Sequence, residues 1–317
     1  MSDKELLGLE NRTDPSQPLR VLAVWDPRNA DSESLRVAAW LSHSTRVKVR
    51  VVTTFSQPWG SKQGKKYRAW LRAESQAVET AVRDALETEG IEKSALAKKF
   101  SVFVAGSSRA QLLSDAAAKF NADILLLPSS QSAAKNRILA GSTADALLHY
   151  SPVTLGLTPR AVKLSKHGIS RVNFAYTDET GNADDPALRA AAAFASRLGV
   201  ALRILAFSPA GLAQTPLNAN LDVAKKLTSD WRERSLGLLD VARDITGEAH
   251  PELDISAEVG SGSGWRGAVD SLKWKKGDLM VLGSHPMGAF ARVFIGSTAT
   301  ELLPHMRVPV LVHPVAR

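Results

Sequence analysis

One stretch of the chain carries glycine and hydroxyl residues at positions where a phosphate could bind. Gly283 closes a short apolar run that begins at Asp278, and Gly296 and Ser297 open the next apolar-periodic segment. Glycine lets the backbone approach a ligand closely, and the free N–H groups at the start of a helix attract anions. The stretch predicts a buried strand, a loop and an anion-binding helix start. Alternatively, Gly283 only ends a strand and Gly296 only begins a helix.

The start of this predicted helix also has a capping signal. Thr298 and Glu301 are three residues apart. In a capping box this spacing separates the N-cap hydroxyl from the carboxylate that accepts a hydrogen bond from the N-cap backbone N–H. We therefore expect Thr298 to be the N-cap of this helix.

The same order of residues occurs 155 positions earlier in the chain. Asp123 corresponds to Asp278, and Gly141–Ala144 corresponds to Gly296–Ala299. A repeat of this length indicates a duplicated domain, and 317 residues are enough for two domains. The predicted divisions are a flexible leader over 1–18, a first domain over 19–158, a linker over 159–169 and a second domain over 170–317.

In each half, short runs of apolar or β-branched residues alternate with amphipathic segments. The predicted strands are 19–25, 47–55, 99–105, 124–127 and 153–157, then 172–177, 200–207, 253–259, 278–283 and 310–312. The predicted helices are 32–44, 65–89, 108–120 and 142–149, then 186–198, 221–245, 265–274 and the segment from 298. The alternation predicts an α/β fold with a five-stranded, mostly parallel sheet and helices on both faces in each half.

This fold class also predicts where a ligand binds. In open α/β sheets, ligands lie beyond the carboxyl ends of the strands, at the point where the strand order reverses. If the first strand of each half neighbours the fourth, that point lies between Asp178 and Gly283 in the second half and between Asp26 and Pro128 in the first. The predicted glycine loop therefore falls where this fold binds ligands.

Composition excludes several kinds of site. The chain has no cysteine, so disulfides, thiolate catalysis and cysteine zinc sites are excluded. The polar start and the lack of an apolar run of membrane length predict a cytoplasmic protein without a membrane partner. The net charge of +8 comes from dispersed residues without nucleic-acid motifs, so we expect a solvated basic face and no specific nucleic-acid partner. The histidines are too dispersed to indicate a metal site.

These features together resemble the universal stress protein family, in a tandem two-domain form covering residues 19–158 and 170–315. The resemblance rests on a strand that ends in Asp, the segment from Asp278 to Ser284, the Gly-Ser start of the fourth helix and a final strand after Pro. The nucleotide-binding branch of that family has Gly, two residues, Gly, nine residues, then Gly with Ser or Thr. The second half has Gly283, Pro286 and Gly296-Ser297 at these positions, with Gly288 two residues after the proline. The first half has Pro128, Gln131 and Gly141-Ser142.

The resemblance implies that ATP or AMP binds between the first and fourth strands, with the second half as the better site. Carried over by position, the nucleotide-contacting residues of the second half are Thr177, Asp178, Ala206, Leu282, Gly283, Ser284, Gly288, Gly296, Ser297 and Thr298. Ala206, at the end of the second strand, meets the adenine in this assignment. The first-half counterparts are Asp26, Gly141 and Ser142.

Two other functions compete with nucleotide binding. Proline has no N–H to donate, so Pro286 and the altered first-half motif favour a protein that has lost nucleotide binding and acts as an interaction or scaffold module. An enzyme, at most a weak ATPase, is disfavoured because no lysine follows the glycines and His285 is a lone loop histidine.

The resemblance also predicts how the halves assemble. Single-domain members of the family resemble dimers paired through the last strand, so residues 153–157 should pair with residues 310–312 inside this chain. Further association into a homo-oligomer is compatible with the sequence.

Overall fold

The computed structural model describes residues 16–29, 31–57, 64–151, 153–176, 183, 185–210, 221–287, 292–294 and 296–314. The strands of the first half are β1 (Leu19–Val24), β2 (Val47–Ser56), β3 (Leu96–Gly106), β4 (Ile124–Pro128) and β5 (Thr154–Thr158). Its helices are α1 (Glu33–Ser42), α2 (Lys65–Thr88), α3 (Arg109–Phe120) and α4 (Ser142–Tyr150).

The second half repeats this order and adds one short strand. Its strands are β6 (Arg171–Ala175), β7 (Ala201–Ala210), β8 (Ile255–Ser263), β9 (Asp278–Met287), β10 (Arg292–Phe294) and β11 (Val310–Pro314). Its helices are α5 (Pro186–Leu198), α6 (Leu221–Ala249), α7 (Gly264–Asp270) and α8 (Gly296–Leu302), with a short 3-10 turn at Leu303–His305.

All but β10 of these strands form one continuous path in the order β3-β2-β1-β4-β5-β11-β9-β6-β7-β8. The pairs within each half along this path are parallel, and β5 and β11 join the halves in antiparallel register, with Leu157 opposite Val310 and Leu155 opposite Val312. The predicted α/β fold and the predicted internal strand pairing are confirmed. In both halves the first strand lies beside the fourth, so the strand order reverses where the sequence predicted.

Two helical layers cover this sheet because its strands are apolar on both faces. In β1, Leu19, Val21 and Ala23 pack into the core on one face, while Leu22 and Val24 pack into the core on the other. The first core includes residues of α1, α2, α5 and α6, and the second includes residues of α3, α4, α7 and α8. Such burial on both faces is typical of parallel sheets and leaves the strand ends as the accessible polar edge.

The repeated aspartates Asp123 and Asp278 serve the fold. Both are fully buried immediately before or at the start of a central strand. Asp123 accepts a hydrogen bond from the backbone N–H of Arg20 at 2.7 Å. Asp278 accepts two from the guanidinium of Arg171, at 2.9 and 2.7 Å, and one from the N–H of Lys275 at 2.8 Å. These bonds fix the amino ends of β4 and β9 against β1 and β6, at the edge opposite the candidate site.

Two predicted boundaries are wrong. Residues from Pro209 were predicted as a loop and Gly260 as a strand end, but β7 and β8 pair as far as Ala210 opposite Ser263. The proline is tolerated because β6 has already ended at Ala175, so the other edge of β7 needs no donor there.

The predicted helix over 265–274 stops at Asp270. The chain then folds back, and the indole N–H of Trp274 donates to the carbonyl of Val269 at 2.8 Å. The same carbonyl also accepts from the N–H of Leu272 at 3.3 Å, so two donors close the end of this helix.

Candidate functional site

A cleft of about 240 Å³ opens at the carboxyl ends of β1 and β4, where the strand order of the first half reverses. Its walls come from β1, β4, α3, the first turn of α4 and the β4–α4 loop (residues 129–141). The lining residues are Val24, Asn29, Arg109, Leu113, Leu127, Pro128, Ser129, Ser130, Gln131, Gly141, Ser142, Thr143 and Ala144. The predicted residues Gly141 and Ser142 are therefore in the cleft.

The first turn of α4 gives this cleft free backbone donors. Gly141 is the N-cap in an extended conformation and no side chain caps the helix. The N–H groups of Ser142, Thr143 and Ala144 therefore have no partner within the helix. A Cβ added to Gly141 would meet no atom within 4 Å, so there is open space beside this N-cap. This arrangement favours an anion.

Arg109 lines this cleft, and Asp26 lines a smaller recess beside it. Arg109 begins α3, is exposed, and makes no hydrogen bond with another described residue. Asp26 forms a bidentate pair with Arg28, at 2.7 and 2.8 Å. Partial burial by itself would raise the pKa of Asp26, but the hydrogen bonds and charge of Arg28, helped by Arg109, lower the pKa overall. Asp26 is therefore an ionised acceptor at neutral pH, suited to a ligand hydroxyl.

A smaller recess of about 40 Å³ adjoins the cleft and is lined by Trp25, Asp26 and Arg109 among others. The indole N–H of Trp25 is buried and has no hydrogen-bond partner among the residues that the structure describes. An unpaired buried donor is costly unless an acceptor reaches it.

The β4–α4 loop keeps its shape without the first two glycines of the family motif. Ser129 accepts a hydrogen bond from the N–H of Leu139 at 2.7 Å, and the N–H of Ser130 donates to the carbonyl of Leu139 at 2.9 Å. The loop is thus folded back on itself, with Pro128 at its start and Gln131 exposed. The cleft exists even though Pro128 and Gln131 replace glycines.

The second half differs from its prediction at Gly283. This glycine does not close the strand, because β9 stays paired with β11 through Gly283 opposite His313 and Ser284 opposite Pro314. The strand then runs to Met287 and returns as β10, with Met287 opposite Arg292. Ser284 is fully buried and its hydroxyl donates to the carbonyl of His313 at 3.0 Å. The predicted glycine loop is therefore in part a β-hairpin.

The predicted strand-end position of Ala206 is also wrong. Ala206 lies in the middle of β7, opposite Val259, and is buried. Leu282 is buried inside β9. Both side chains belong to the core of the second half.

The remaining predicted residues of the second half are only partly described. Thr177, Asp178 and Gly288 lie outside the described residues. Gly296, Ser297 and Thr298 form the first turn of α8.

The predicted capping box at this helix is wrong. The helix begins at Gly296, so Thr298 is inside its first turn and is not the N-cap. The carboxylate of Glu301 accepts a hydrogen bond from the indole N–H of Trp265 at 2.7 Å. The carboxylate of Glu301, which the local pattern assigned to helix capping, therefore binds Trp265 of α7 instead.

The two halves contact each other through the segments that follow their fourth strands, β4 and β9. The hairpin strand β10 of the second half contacts α4 of the first half. In the reverse direction, Arg137 of the β4–α4 loop donates to the carbonyl of His305 and pairs with Asp270 at 3.5 Å. Each loop that follows a fourth strand therefore contributes to the contact between halves.

Sequence reasoning missed Arg109 and Trp25. Arg109 comes directly after Gly106-Ser107-Ser108, which the sequence already predicted to follow a strand. Because the carboxyl ends of parallel strands share one edge of a sheet, this position could have been assigned to the site. No sequence signal indicates that the indole N–H of Trp25 is unpaired.

The fold and the site define a duplicated α/β protein with a cleft at the strand ends of the first half. The universal stress protein family matches residues 18–156 and again residues 172–314. The chain therefore belongs to the universal stress protein family, in a tandem form.

Among known relatives, the chain is 34% identical over 202 residues to "Universal stress protein Rv2319c" of Mycobacterium tuberculosis, covering 64% of this chain and 68% of that protein. It is equally similar to "Universal stress protein Mb2346c" of Mycobacterium bovis. A solved universal stress protein from Archaeoglobus fulgidus aligns with a TM-score of 0.60 at 20% identity, covering 92% of this chain and 97% of that one. A functionally unknown protein, PA1789 from Pseudomonas aeruginosa, aligns with a TM-score of 0.55 at 15% identity, covering 95% and 94%.

The described residues include neither a membrane-spanning helix nor a metal-binding cluster. None of their helices has the length and apolar character needed to cross a membrane. Across the same residues, no cluster of three or more histidine, aspartate or glutamate side chains has a metal-binding arrangement.

Proposed function

We propose that this protein binds an adenine nucleotide, ATP or AMP, as a stress-response module, and that the first-half cleft is a binding site. The observation that carries the proposal is the uncapped N-terminus of α4, which opens on a cleft at the strand-order reversal. The sequence favoured the second half, whose glycines at 283 and 296 fit the family motif better. Both sites are therefore included in the test below.

The described residues suggest a division of roles in the first-half cleft. The N–H groups of Ser142 and Thr143 and the guanidinium of Arg109 would bind phosphate oxygens. The carboxylate of Asp26 would accept a hydrogen bond from a ribose hydroxyl. The cleft of about 240 Å³ is smaller than the pockets of about 300–1,000 Å³ that enclose whole ligands. It suits the phosphates and ribose, with the base held nearer the surface.

The chemistry of the cleft favours binding over turnover. No lysine follows the glycine at 141 in the manner of a phosphate-loop enzyme. Arg28 and Arg109 hold the pKa of Asp26 down, against the effect of its partial burial, so this carboxylate is a weak general base. We expect at most slow ATP hydrolysis, and a cytoplasmic location remains our prediction.

One observation favours the alternative of an interaction or scaffold module. In the second half, the segment expected to bind phosphate continues as β9 and β10, and β10 contacts α4 of the other half. A segment that joins the two halves has a structural use without any ligand. Under this alternative, neither half binds nucleotide and the contact between halves is the retained feature.

The deciding experiment is calorimetric titration of ATP and AMP into the full chain and into two variants. Gly141→Val puts a branched side chain beside the first turn of α4, at a position where an added Cβ meets no atom within 4 Å. Gly296→Val is the matched change in the second half. Gly237→Ala on α6, which also has open space around it, controls for glycine replacement as such.

Loss of binding in Gly141→Val, with retention in Gly296→Val, is the expected result. Loss only in Gly296→Val would transfer the site to the second half as the sequence predicted. An absence of heat for the wild type at millimolar nucleotide would overturn the proposal and favour the scaffold alternative.

A further inference from the structure

A second cleft, of about 490 Å³, lies between the two halves and is distinct from the strand-end cleft. The β4–α4 loop of the first half contributes Lys135 and Arg137. The second half contributes Arg266 from α7, with His305 and Arg307 from the segment after α8. Both halves must be in place for this cleft to exist.

The cleft carries more positive charge than its own acid can balance. Three guanidiniums share the carboxylate of Asp270. Arg307 pairs with it at 2.9 Å, Arg137 at 3.5 Å and Arg266 at 3.7 Å. One carboxylate offsets one of these charges, and Lys135 adds a further positive charge. The side chain of Arg137 is only 15% exposed, so solvent screens this repulsion incompletely.

Burial and the surrounding positive charge disfavour the protonated forms of Arg137 and His305. Burial lowers the pKa of Arg137, the carboxylate of Asp270 opposes this, and the charges of Arg307 and Arg266 lower the pKa further. The same surroundings lower the pKa of His305, through burial first and then the charge of Arg137. A bound anion would relieve these unfavourable interactions.

The duplication provides an internal reference for what the fold requires here. In the 155-residue repeat, Asp270 corresponds to Asp115, which lies at the equivalent place in α3. Arg266 corresponds to Gln111, whose amide donates to Asp115 at 2.8 Å. The counterparts of Arg307 and Lys135 are uncharged, and they are Pro152 and Phe290. Arg137 corresponds to Arg292, so the repeat keeps an arginine at that position, whereas Lys135, Arg266 and Arg307 all have uncharged counterparts. The shared architecture therefore does not require these three charges.

Two of the guanidiniums in the cleft keep donors that are free to bind an anion. Arg137 is held by the carbonyl of His305 and by Asp270. Arg266 and Arg307 use Nε toward Asp270, and their terminal nitrogens make no hydrogen bond with any residue within the described ranges. A guanidinium presents its donors as a planar fork that matches the oxygens of a phosphate group.

We propose that this cleft between the halves, lined by Lys135, Arg137, Arg266 and Arg307, binds an oligophosphate and thereby links the two domains. A chain of two or three phosphate groups carries enough negative charge to balance the surplus. The volume of about 490 Å³ accommodates such a chain. The inference is independent of nucleotide binding at the strand ends.

The test is calorimetric titration of tripolyphosphate into the full chain at about 0.15 M salt, where surface charges more than ~8 Å apart are largely screened. The variant is Arg266→Gln with Arg307→Gln, both on side chains that are 75% and 46% exposed, so folding should be retained. The control is Lys98→Gln with Lys99→Gln, which removes the same charge from two exposed residues of the edge strand β3. Circular dichroism melts establish that every variant is folded.

We expect about one equivalent of tripolyphosphate to bind, with affinity at least about tenfold weaker in the arginine variant and unchanged within about twofold in the lysine control. The wild-type, arginine and lysine proteins are also compared in the Gly141→Val background, which removes phosphate binding at the strand-end cleft and so separates this site from it. Absence of wild-type binding at millimolar tripolyphosphate, or equal losses in both double variants, would overturn the proposal.

A competition arm identifies the source of the phosphate chain. If ATP displaces tripolyphosphate and itself binds more weakly to the arginine variant, the ligand is the phosphate chain of a nucleotide. If ATP does not displace it, the ligand is a free oligophosphate. Either result supports an oligophosphate site.

Discussion

Acid should destabilise the antiparallel β5–β11 pairing that joins the two halves, which we call the seam, through the protonation equilibrium of His313. This histidine is on β11, next to the residues that pair with β5, and only 3% of it is exposed. Its Nδ1 lies 3.2 Å from the hydroxyl of Thr154 across the seam. Burial lowers the pKa of His313 to about 4. The folded protein therefore keeps this imidazole neutral at a pH where the unfolded chain protonates it.

The size of the effect follows from proton linkage. An unfolded histidine has a pKa of about 6.5, so between about pH 6.5 and pH 4 the unfolded chain binds more protons at this site than the folded chain. Stability is therefore unaffected by His313 above about pH 6.5 and falls as the pH drops below it. With a folded pKa of about 4, the loss is about 2 kcal/mol at pH 5 and approaches about 3 kcal/mol below pH 4.

Urea denaturation at pH 7 and pH 5 measures this loss. His313→Asn keeps an amide near Thr154 but cannot titrate, so it should lose about 2 kcal/mol less than the wild type on acidification. His167→Asn removes an exposed histidine and should behave like the wild type. Equal losses in all three proteins, within about 0.5 kcal/mol, would refute the reasoning, because His313 would then titrate as a solvated side chain.

Three further predictions concern the buried aspartate of β9, the seam between β5 and β11, and the strand-end cleft. Asp278→Ala leaves the guanidinium of Arg171 at the sheet edge without its carboxylate, so the free energy of unfolding in urea should fall by about 3–5 kcal/mol; a loss below about 1 kcal/mol would contradict the role of this pair. Gly156→Val should disrupt the seam, because even a Cβ there would lie 2.3 Å from a methyl of Leu126. Proteolysis between the halves should therefore become faster than in the wild type. An unchanged cleavage rate would contradict this, because the sheet would then accommodate the larger side chain. Arg109→Gln should weaken ATP binding to the strand-end cleft by about tenfold and leave thermal stability unchanged, and calorimetry with a thermal melt would detect any departure.

The sequence predicted the architecture well because the relevant signals are local and repeated. Apolar runs such as Ile124–Leu127 have the length and flanks of buried strands, and the duplication doubled each observation. The sequence repeat identified Asp123 and Asp278, but only the structure shows that they lie at the edge of the sheet opposite the candidate site. Their partners, Arg20 and Arg171, are more than 100 residues away in the chain, where no local pattern reaches.

The errors at the candidate site arose where tertiary contacts overrode local patterns. Pro286 and the glycine two residues later are typical of a loop, yet β9 continues because β11 and β10 offer it hydrogen-bond partners. Thr298 and Glu301 match a capping box, yet Trp265, 36 residues earlier, takes the carboxylate. Gly141 and Ser142 line the strand-end cleft because topology fixes where a helix starts after a fourth strand, and their role in binding stays a prediction.

The central claim is that the strand-end cleft of the first half binds an adenine nucleotide. Mass spectrometry of the small molecules released when the purified protein is denatured, with ATP titration of the emptied protein and of Gly141→Val, tests it most directly. The account predicts ATP or AMP from the wild type and no binding by Gly141→Val. Release of no nucleotide, together with no heat on titration at millimolar ATP, would contradict it.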